Sequence, residues 1–159
     1  MPTATTAPSS RWITLAGFLL LVIGGGMAIG YATRPDAWYA ALAKPSFNPP
    51  NWVFGPVWTI LYVLIAIAGW RTWQRLPRTA TAMRLWALQM VLNFAWSPVF
   101  FALHRVDIAF GIVLAMLASI GAFILVSMRH DRAGALLFAP YFLWVAFATT
   151  LNGAIWRLN

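Results

Sequence analysis

Five long runs of apolar residues constrain this chain more than any other feature of its sequence. They are Trp12–Thr33, Val53–Trp70, Leu85–Leu103, Ile108–Met128 and Gly134–Trp156. A helix that crosses the hydrocarbon core of a bilayer needs about 20 predominantly apolar residues, and each run is close to that length. The composition agrees, because 62% of the residues are hydrophobic and only 9% are charged. The sequence therefore predicts an all-α membrane protein, a bundle of five transmembrane helices.

The ends of the runs predict the topology. Residues 1–11 are small and polar and are expected to form a flexible tail ahead of a single domain over residues 12–159. The run after Arg11 is longer than the apolar part of a cleaved signal peptide, so we interpret it as the first span. Seven of the eleven Lys and Arg residues fall on the side of the N-terminus. This bias favours a cytoplasmic N-terminus and a periplasmic first loop, as in a bacterial inner membrane.

The net charge of +8 does not indicate a nucleic-acid partner. The basic residues are scattered singly at the ends of the apolar runs, where they normally anchor spans in the bilayer. No basic run and no aromatic-basic RNA motif accompanies them. Cysteine is absent, which excludes disulfides and cysteine-ligated metals.

The connection between the first two runs is long and contains the stretch KPSFNPPNWVFGPVW, which starts at Lys44. Ahead of it, Asp36 can support the start of a short helix that Pro45 stops. That helix places Trp38, Tyr39 and Leu42 on one face. The prolines restrict the freedom of the chain, so ordering the loop costs less entropy. We therefore expect an ordered lid.

The polar residues exclude several function classes. No Lys or Arg lies within a predicted span, and the three carboxylates lie in connections or at span ends. Charges within the membrane usually mark ion-coupled transport, so their absence argues against an ion-driven pump. Ser97 and Ser119 have no nearby histidine to activate them, and paired carboxylates are missing, which argues against a hydrolase.

The two histidines predict no metal site. His104 follows the third run and His130 follows the fourth, so they fall on opposite sides of a hydrocarbon core about 30 Å thick. They cannot share a metal ion. Either one alone can ligate a haem iron, although an isolated interfacial histidine is more often solvated or hydrogen-bonded.

Uncharged polar and aromatic residues recur at helical spacing in three spans. They are Trp58 and Tyr62 in span two, Trp86, Gln89, Asn93, Trp96, Ser97 and Phe100 in span three, and Tyr141, Trp144, Ala148 and Asn152 in span five. One interpretation is aromatic packing with Asn93 and Asn152 as interhelical links. The other is a pocket for a flat ligand, because the small Ala148 leaves room among large rings.

Small residues also recur at helical spacing. Gly26 and Gly30 form a G-x-x-x-G pattern in the first span, and the fourth span carries Gly111, Ala115, Ser119 and Ala122. Such faces allow helices to approach closely. The pattern fits packing within one chain and, as the less favoured alternative, the seam of a dimer.

Three strings resemble the TspO family, the tryptophan-rich sensory and translocator proteins once called peripheral-type benzodiazepine receptors. They are RPDAWYAALAKPSFNPPNWVFGPVWTILY, LNFAWSPVFF and PYFLWVAFATTLNGAIWRLN. Within the first string, W-Y-x-x-L-x-K-P-x-x-x-P-P is the most specific part. The likeness runs from about Arg34 to the last residue, with five spans and a long first loop in register.

The resemblance implies a five-helix bundle, commonly a homodimer, whose cavity beneath the first loop binds porphyrins such as protoporphyrin IX or haem. The tetrapyrrole is then a ligand, and no cofactor is obligatory. The family's ligand-binding positions correspond to Tyr39, Pro49, Trp58, Tyr62, Asn93, Trp96, Trp144, Ala148 and Leu151. Bacterial members are also implicated in light-dependent degradation of protoporphyrin. Trp58 and Trp144 are the photochemical candidates, and no conventional catalytic residue is predicted.

Several functions follow as hypotheses. The first is a sensor or regulator of tetrapyrrole metabolism, with the ring between Trp58, Trp96 and Trp144 and its propionates near Arg34 or Lys44. The second adds light-dependent degradation. The third is a transporter of tetrapyrroles or other lipophilic ligands such as sterols, and a packing subunit without ligand is the remaining alternative. Gly153 and Ala154 stand where animal members carry the tyrosine of a cholesterol motif, so cholesterol is less expected.

Overall fold

The computed structural model describes residues 8–77 and 80–159, and the regular structure in this part of the chain is helical. Its helices are α1 (Pro8–Leu19), α2 (Gly25–Ala32), α3 (Ala37–Ala41), α4 (Asn51–Arg75), α5 (Thr81–Ser97), α6 (Val106–Ser127), α7 (Arg132–Leu137) and α8 (Ala139–Leu158), with π-helical segments at Leu20–Gly24 and Pro98–Ala102. Residues 1–7 of the predicted tail, and Arg78 from the charge count, lie outside the described residues.

Five segments are long and apolar enough to cross a membrane, which confirms the predicted bundle. In chain order these spans one to five are Ser10–Ala32, Asn51–Arg75, Thr81–Ala102, Val106–Ser127 and Arg132–Leu158. Helix extends beyond the predicted runs, most clearly in span two, which we predicted over residues 53–70. It also begins at Pro8, so residues 8–11 of the predicted tail are helical. Hydropathy marks the hydrocarbon core, whereas helix ends depend on capping and on where backbone hydrogen bonds stop.

The π-helical segment of span three has a local cause. Proline has no N–H to donate, and its ring opposes the carbonyl of the preceding turn. The helix widens from Pro98 onward, where the Leu103 backbone N–H donates to the carbonyl of Pro98 at 3.0 Å, five residues back. Segments of this kind often occur at functional sites. Here the widened turn carries Phe100 and Phe101, against which the first loop rests.

The half of the bundle away from the first loop is a packed core. Phe123, Phe138 and Tyr141 are fully buried there, and Trp86 is nearly so. Trp86 lies against Gly69 of span two and donates its indole N–H to the carbonyl of Ile65 at 3.0 Å. Close approach at this glycine lets spans two and three seal this half of the bundle.

An ion pair joins span two to the connection before span five. The Arg71 guanidinium donates twice to Asp131, from Nε to Oδ2 at 2.8 Å and from Nη2 to Oδ1 at 2.7 Å. The Asp131 side chain is only 9% exposed and that of Arg71 26%. The hydrogen bonds from Arg71 hold the pKa of Asp131 below its ordinary value. The sequence showed no partner for this carboxylate, because 60 residues separate it from Arg71.

Removing this pair is expected to destabilise the bundle. Asp131→Asn should lower the free energy of unfolding by about 1–3 kcal/mol, because a partly buried guanidinium loses its charged acceptor. Unfolding in dodecyl sulfate, followed by circular dichroism, measures the change. The matched control is Asp107→Asn, which breaks the exposed Arg105–Asp107 pair, with side chains 54% and 41% exposed. The control should cost less than about 1 kcal/mol.

The pair also predicts a pH dependence. A carboxyl whose folded pKa is depressed stabilises the fold above its unfolded pKa, about 3.9 for Asp. That contribution is lost as the pH falls through the folded pKa. The stability gap between the wild type and Asp131→Asn should therefore be constant near neutrality and shrink below about pH 4. A gap that is the same at pH 3 and pH 7 would contradict the assignment.

The first loop, residues 34–50, forms the predicted lid. Asp36 precedes α3 and its Oδ1 accepts the Tyr39 backbone N–H at 3.1 Å, which lowers the pKa of Asp36. Tyr39 is buried, and Trp38 and Leu42 pack on the same aromatic cluster. The predicted face of this helix is therefore confirmed. The helix ends at Ala41, four residues before Pro45, because Leu42 already adopts an extended backbone.

Candidate functional site

A cavity of about 660 Å³ lies beneath the lid in the half of the bundle nearer to it. Its volume is within the range of small-molecule sites. Spans one, two, three and five provide most of the walls, with Val113 and Met116 from span four. The lid forms the roof of the cavity and the spans form its walls. The packed core described above closes the opposite end and forms its floor.

Eight of the nine predicted ligand-binding residues line this one cavity. They are Tyr39, Trp58, Tyr62, Asn93, Trp96, Trp144, Ala148 and Leu151. Pro49 is not among the lining residues, although its carbonyl accepts the side-chain N–H of the neighbouring Asn48 at 3.0 Å. The structure thus brings together the aromatic and polar faces of several separate helices around one cavity.

The three tryptophans in the wall differ in how they are held. Trp96 stacks on Phe100, with centroids 5.1 Å apart, and donates its N–H to Asn152 Oδ1 at 3.0 Å. The ring of Trp58 packs against that of Tyr62, with centroids 5.3 Å apart. Stacking on a neighbouring ring fixes the orientation of each indole, and the rest of the indole surface can contact a bound molecule. Trp96 is thus the most constrained of the three.

Trp144 has a different environment. Phe54 and Phe147 contact its ring at 5.8 and 5.6 Å, but its buried indole N–H has no hydrogen-bond partner among the described residues. A buried donor without a partner is costly.

A chain of hydrogen bonds forms the floor. Tyr62 donates to Asn93 Oδ1 at 3.3 Å, Asn93 Nδ2 donates to the Tyr141 oxygen at 2.9 Å, and Tyr141 donates to Gln89 Oε1 at 2.9 Å. Asn152 Nδ2 likewise donates to the carbonyl of Val106 at 3.0 Å. The prediction that Asn93 and Asn152 link helices is confirmed. Because Asn93 also lines the cavity, packing and lining are not exclusive roles.

The mouth of the cavity carries one cation. Of the described residues that line the cavity, only Arg34 is charged, and its guanidinium lies 3.9 Å from the ring of Tyr31 with no carboxylate partner there. The Lys44 ammonium, in contrast, is already hydrogen-bonded within the lid. Its Nζ donates to the carbonyls of Tyr39, Leu42 and Ala40 at 2.6, 3.2 and 3.3 Å. Of the two candidate cations, Arg34 is therefore the available one.

Span one supplies lining residues that the sequence reasoning missed. The cavity is also lined by Ile23, Gly26, Met27, Gly30 and Tyr31. A side chain on Gly26 would overlap the ring of Tyr62, so this glycine makes room for a cavity wall. The sequence signal for this wall was the G-x-x-x-G pattern of Gly26 and Gly30. It correctly indicated close packing at Gly26, whereas Gly30 is exposed with nothing near its Cβ position, and it did not indicate that the partner of Gly26 lines a site.

The two histidines lie far apart, as predicted. His104 stacks on Trp38 of the lid, with centroids 4.1 Å apart, and its Nε2 lies 3.4 Å from Asp36 Oδ2. It adopts a left-handed backbone with φ of 54°, which ends span three beneath the lid. Within residues 8–77 and 80–159, no group of three or more His, Asp or Glu side chains could hold a metal.

The amino-acid sequence of this chain is similar to those of several known membrane proteins and matches one family model. The sequence model of the TspO/MBR family matches residues 18–157. The tryptophan-rich sensory protein of Cereibacter sphaeroides is 36% identical over 148 residues, covering 93% of this chain and 92% of the relative. The translocator protein of Homo sapiens is 33% identical over 157 residues, covering 93% and 91%. The tryptophan-rich protein TspO of Archaeoglobus fulgidus is 35% identical over 150 residues, covering 92% and 97%.

Proposed function

The chain belongs to the TspO/MBR family, and from this premise we propose that it binds a porphyrin or related tetrapyrrole in the cavity beneath its lid. The proposal rests on an aromatic cavity at whose mouth stands Arg34, the one charged residue among the described residues that line it. A tetrapyrrole is a flat apolar ring with acidic groups on one edge, which matches this distribution. A sensor or regulator of tetrapyrrole metabolism is the role we propose.

The polar groups of the cavity support an oriented ligand. The ring lies between Trp58, Trp96 and Trp144, and its carboxylates reach Arg34, with which they form charge-assisted hydrogen bonds. The indole ring of Trp144 adds apolar contact surface to the wall of the cavity. Saturable quenching of tryptophan fluorescence by protoporphyrin, titrated in the dark, tests binding. The absence of saturation would reject the proposal.

The same titration under illumination extends the test. Trp58 and Trp144 both line the cavity, where a photoexcited porphyrin would meet them. If illumination causes a larger loss of porphyrin absorbance with the protein than in detergent alone, the protein degrades the porphyrin as well as binding it.

The carboxylate contact predicts a selective effect. Arg34→Gln should weaken protoporphyrin binding by about tenfold, since the charge-assisted contact is lost. The affinity for protoporphyrin dimethyl ester should not change, because the ester has no negative charge to lose. Arg157→Gln, which removes an exposed cation at the end of span five, is the matched control. Equal weakening of acid and ester would contradict the contact.

Transport is the alternative proposal, and the floor of the cavity argues against an open pathway. Tyr141 and Gln89 are fully buried and bonded to each other, and Phe123 and Phe138 lie beyond them. A flat ligand would have to break these bonds to cross. Porphyrin flux into liposomes at a rate far above that of protein-free liposomes would favour the transporter.

Assembly and location stay predictions. Gly111 and Ala115 on span four are exposed, and a Cβ on Gly111 would meet nothing within 4 Å, so these two positions are free for a homodimer partner in the bilayer, whereas Ser119 of the same series is buried. A bacterial inner membrane with the N-terminus in the cytoplasm and the lid in the periplasm follows from the distribution of basic residues.

A further inference from the structure

The wall of the cavity is discontinuous between spans one and two. Within the membrane spans, six residues that line the cavity are also exposed: Met27, Gly30 and Tyr31 from span one, and Asn51, Gly55 and Thr59 from span two. Met27 and Tyr31 are 68% and 72% exposed. Because these residues belong to membrane spans, most of this surface faces lipid rather than water. The cavity therefore opens sideways, toward the bilayer.

The course of span one explains the opening. Its first part, Pro8–Leu19, packs on span two, whereas Gly25–Ala32 packs mainly on span three and touches span two where Gly26 meets the ring of Tyr62. The change of partner coincides with the π-helical segment Leu20–Gly24, and such segments redirect a helix. Beyond it, the hydroxyls of Thr33 and Ser97 lie 2.6 Å apart and hold the end of span one on span three. Spans one and two are consequently separated near the lid.

The lid, in contrast, is tied down at several points. The side-chain amide of Asn159 pairs with the backbone of Ala43, accepting its N–H at 2.9 Å and donating to its carbonyl at 3.0 Å. Lys44 holds three carbonyls, and Trp38 stacks on His104. Access through the roof would require these contacts to break together. Access between spans one and two requires none of them to break.

We propose that the ligand enters and leaves the cavity from the bilayer, through a lateral portal between spans one and two. The inference rests on the proposed function for the class of ligand, a flat apolar acid. Such an amphiphile lies in a membrane with its ring in the hydrocarbon and its acid at the interface. Arg34, over the ring of Tyr31 at the edge of the portal, meets the acid in that orientation. The ligand thus moves sideways without turning over.

Two glycines provide a test. A Cβ atom on Gly30 or Gly55 would meet nothing within 4 Å, so a leucine can be introduced at either position to narrow the portal. The double variant Gly30→Leu with Gly55→Leu should slow association of protoporphyrin with the protein in lipid nanodiscs by about tenfold or more. Dissociation by the same route should slow as well, because an obstacle in the route raises the barrier in both directions. The association rate is the readout, because both glycines line the cavity and leucines there also change the equilibrium affinity.

Two control variants distinguish entry between spans one and two from entry through the lid. Gly17→Leu adds the same side chain to span one at an exposed position with nothing within 4 Å and outside the cavity lining, and should leave both rates unchanged. Asn159→Ala loosens the lid and should leave the association rate unchanged as well. An unchanged association rate in the double glycine variant, or faster association in Asn159→Ala, would overturn the portal. Saturable binding to the wild type tests the proposed function separately.

Discussion

Ala148→Phe is expected to reduce the affinity for protoporphyrin by about 100-fold or more, equivalent to about 2.7 kcal/mol. Ala148 lines the cavity one turn after Trp144, and its small side chain leaves the space that a flat ring requires. A phenyl ring at this position occupies that space and excludes the ligand from the tryptophans. Fluorescence-quenching titration of the variant and the wild type measures the loss.

The fold should survive this substitution. The new ring enters an existing cavity and not a close-packed core, so the free energy of unfolding should change by less than about 1 kcal/mol. Ala118→Phe, on the exposed surface of span four, is the matched control and should bind as the wild type does. Wild-type affinity in Ala148→Phe would place the ligand elsewhere.

Gly69→Ala is expected to lower the free energy of unfolding by about 2–4 kcal/mol, the largest stability effect that we predict. A methyl group on Gly69 would overlap the indole ring of Trp86. The indole cannot rotate away without losing its hydrogen bond to the carbonyl of Ile65 and its edge contact with Phe18 at 5.1 Å. Spans two and three must separate instead, which loosens the packed half of the bundle.

Unfolding in dodecyl sulfate, followed by circular dichroism, measures this effect. Gly17→Ala is the control, because a methyl group there meets nothing within 4 Å and alanine is the better helix former. The control should be neutral or slightly stabilising. A Gly69→Ala protein as stable as the control would mean that Trp86 is not held as described.

Periodicity and capping predicted much of this protein. Five apolar runs predicted the five spans, and Asp36 with the apolar face of Trp38, Tyr39 and Leu42 predicted the lid helix. These features are local, since they depend on hydropathy over one span or on bonds within one turn. For the same reason, most residues spaced at three or four along spans two, three and five line one cavity, whereas Trp86, Gln89 and Tyr141 of the same series lie in the packed core.

Contacts between distant segments were not predictable in this way. Nothing in the sequence pairs Arg71 with Asp131, and nothing distinguishes Gly69, which must stay small, from Gly17, which need not. Span one was expected to provide only a packing face, yet it forms part of the cavity wall. Helical spacing gives the direction of a side chain around its own axis but not the neighbour it meets.

The sequence by itself determined the class of protein, the number of spans, the lid and the aromatic faces, because the bilayer and the helix impose strong periodic requirements on every membrane chain. Only the tertiary structure decided which faces meet, that they enclose one cavity with a polar floor, and that the cavity opens between spans one and two. Those properties depend on how helices lean and cross. Close contacts at single residues such as Gly26 and Gly69, together with the π-helical segment of span one, set these geometries across the whole bundle.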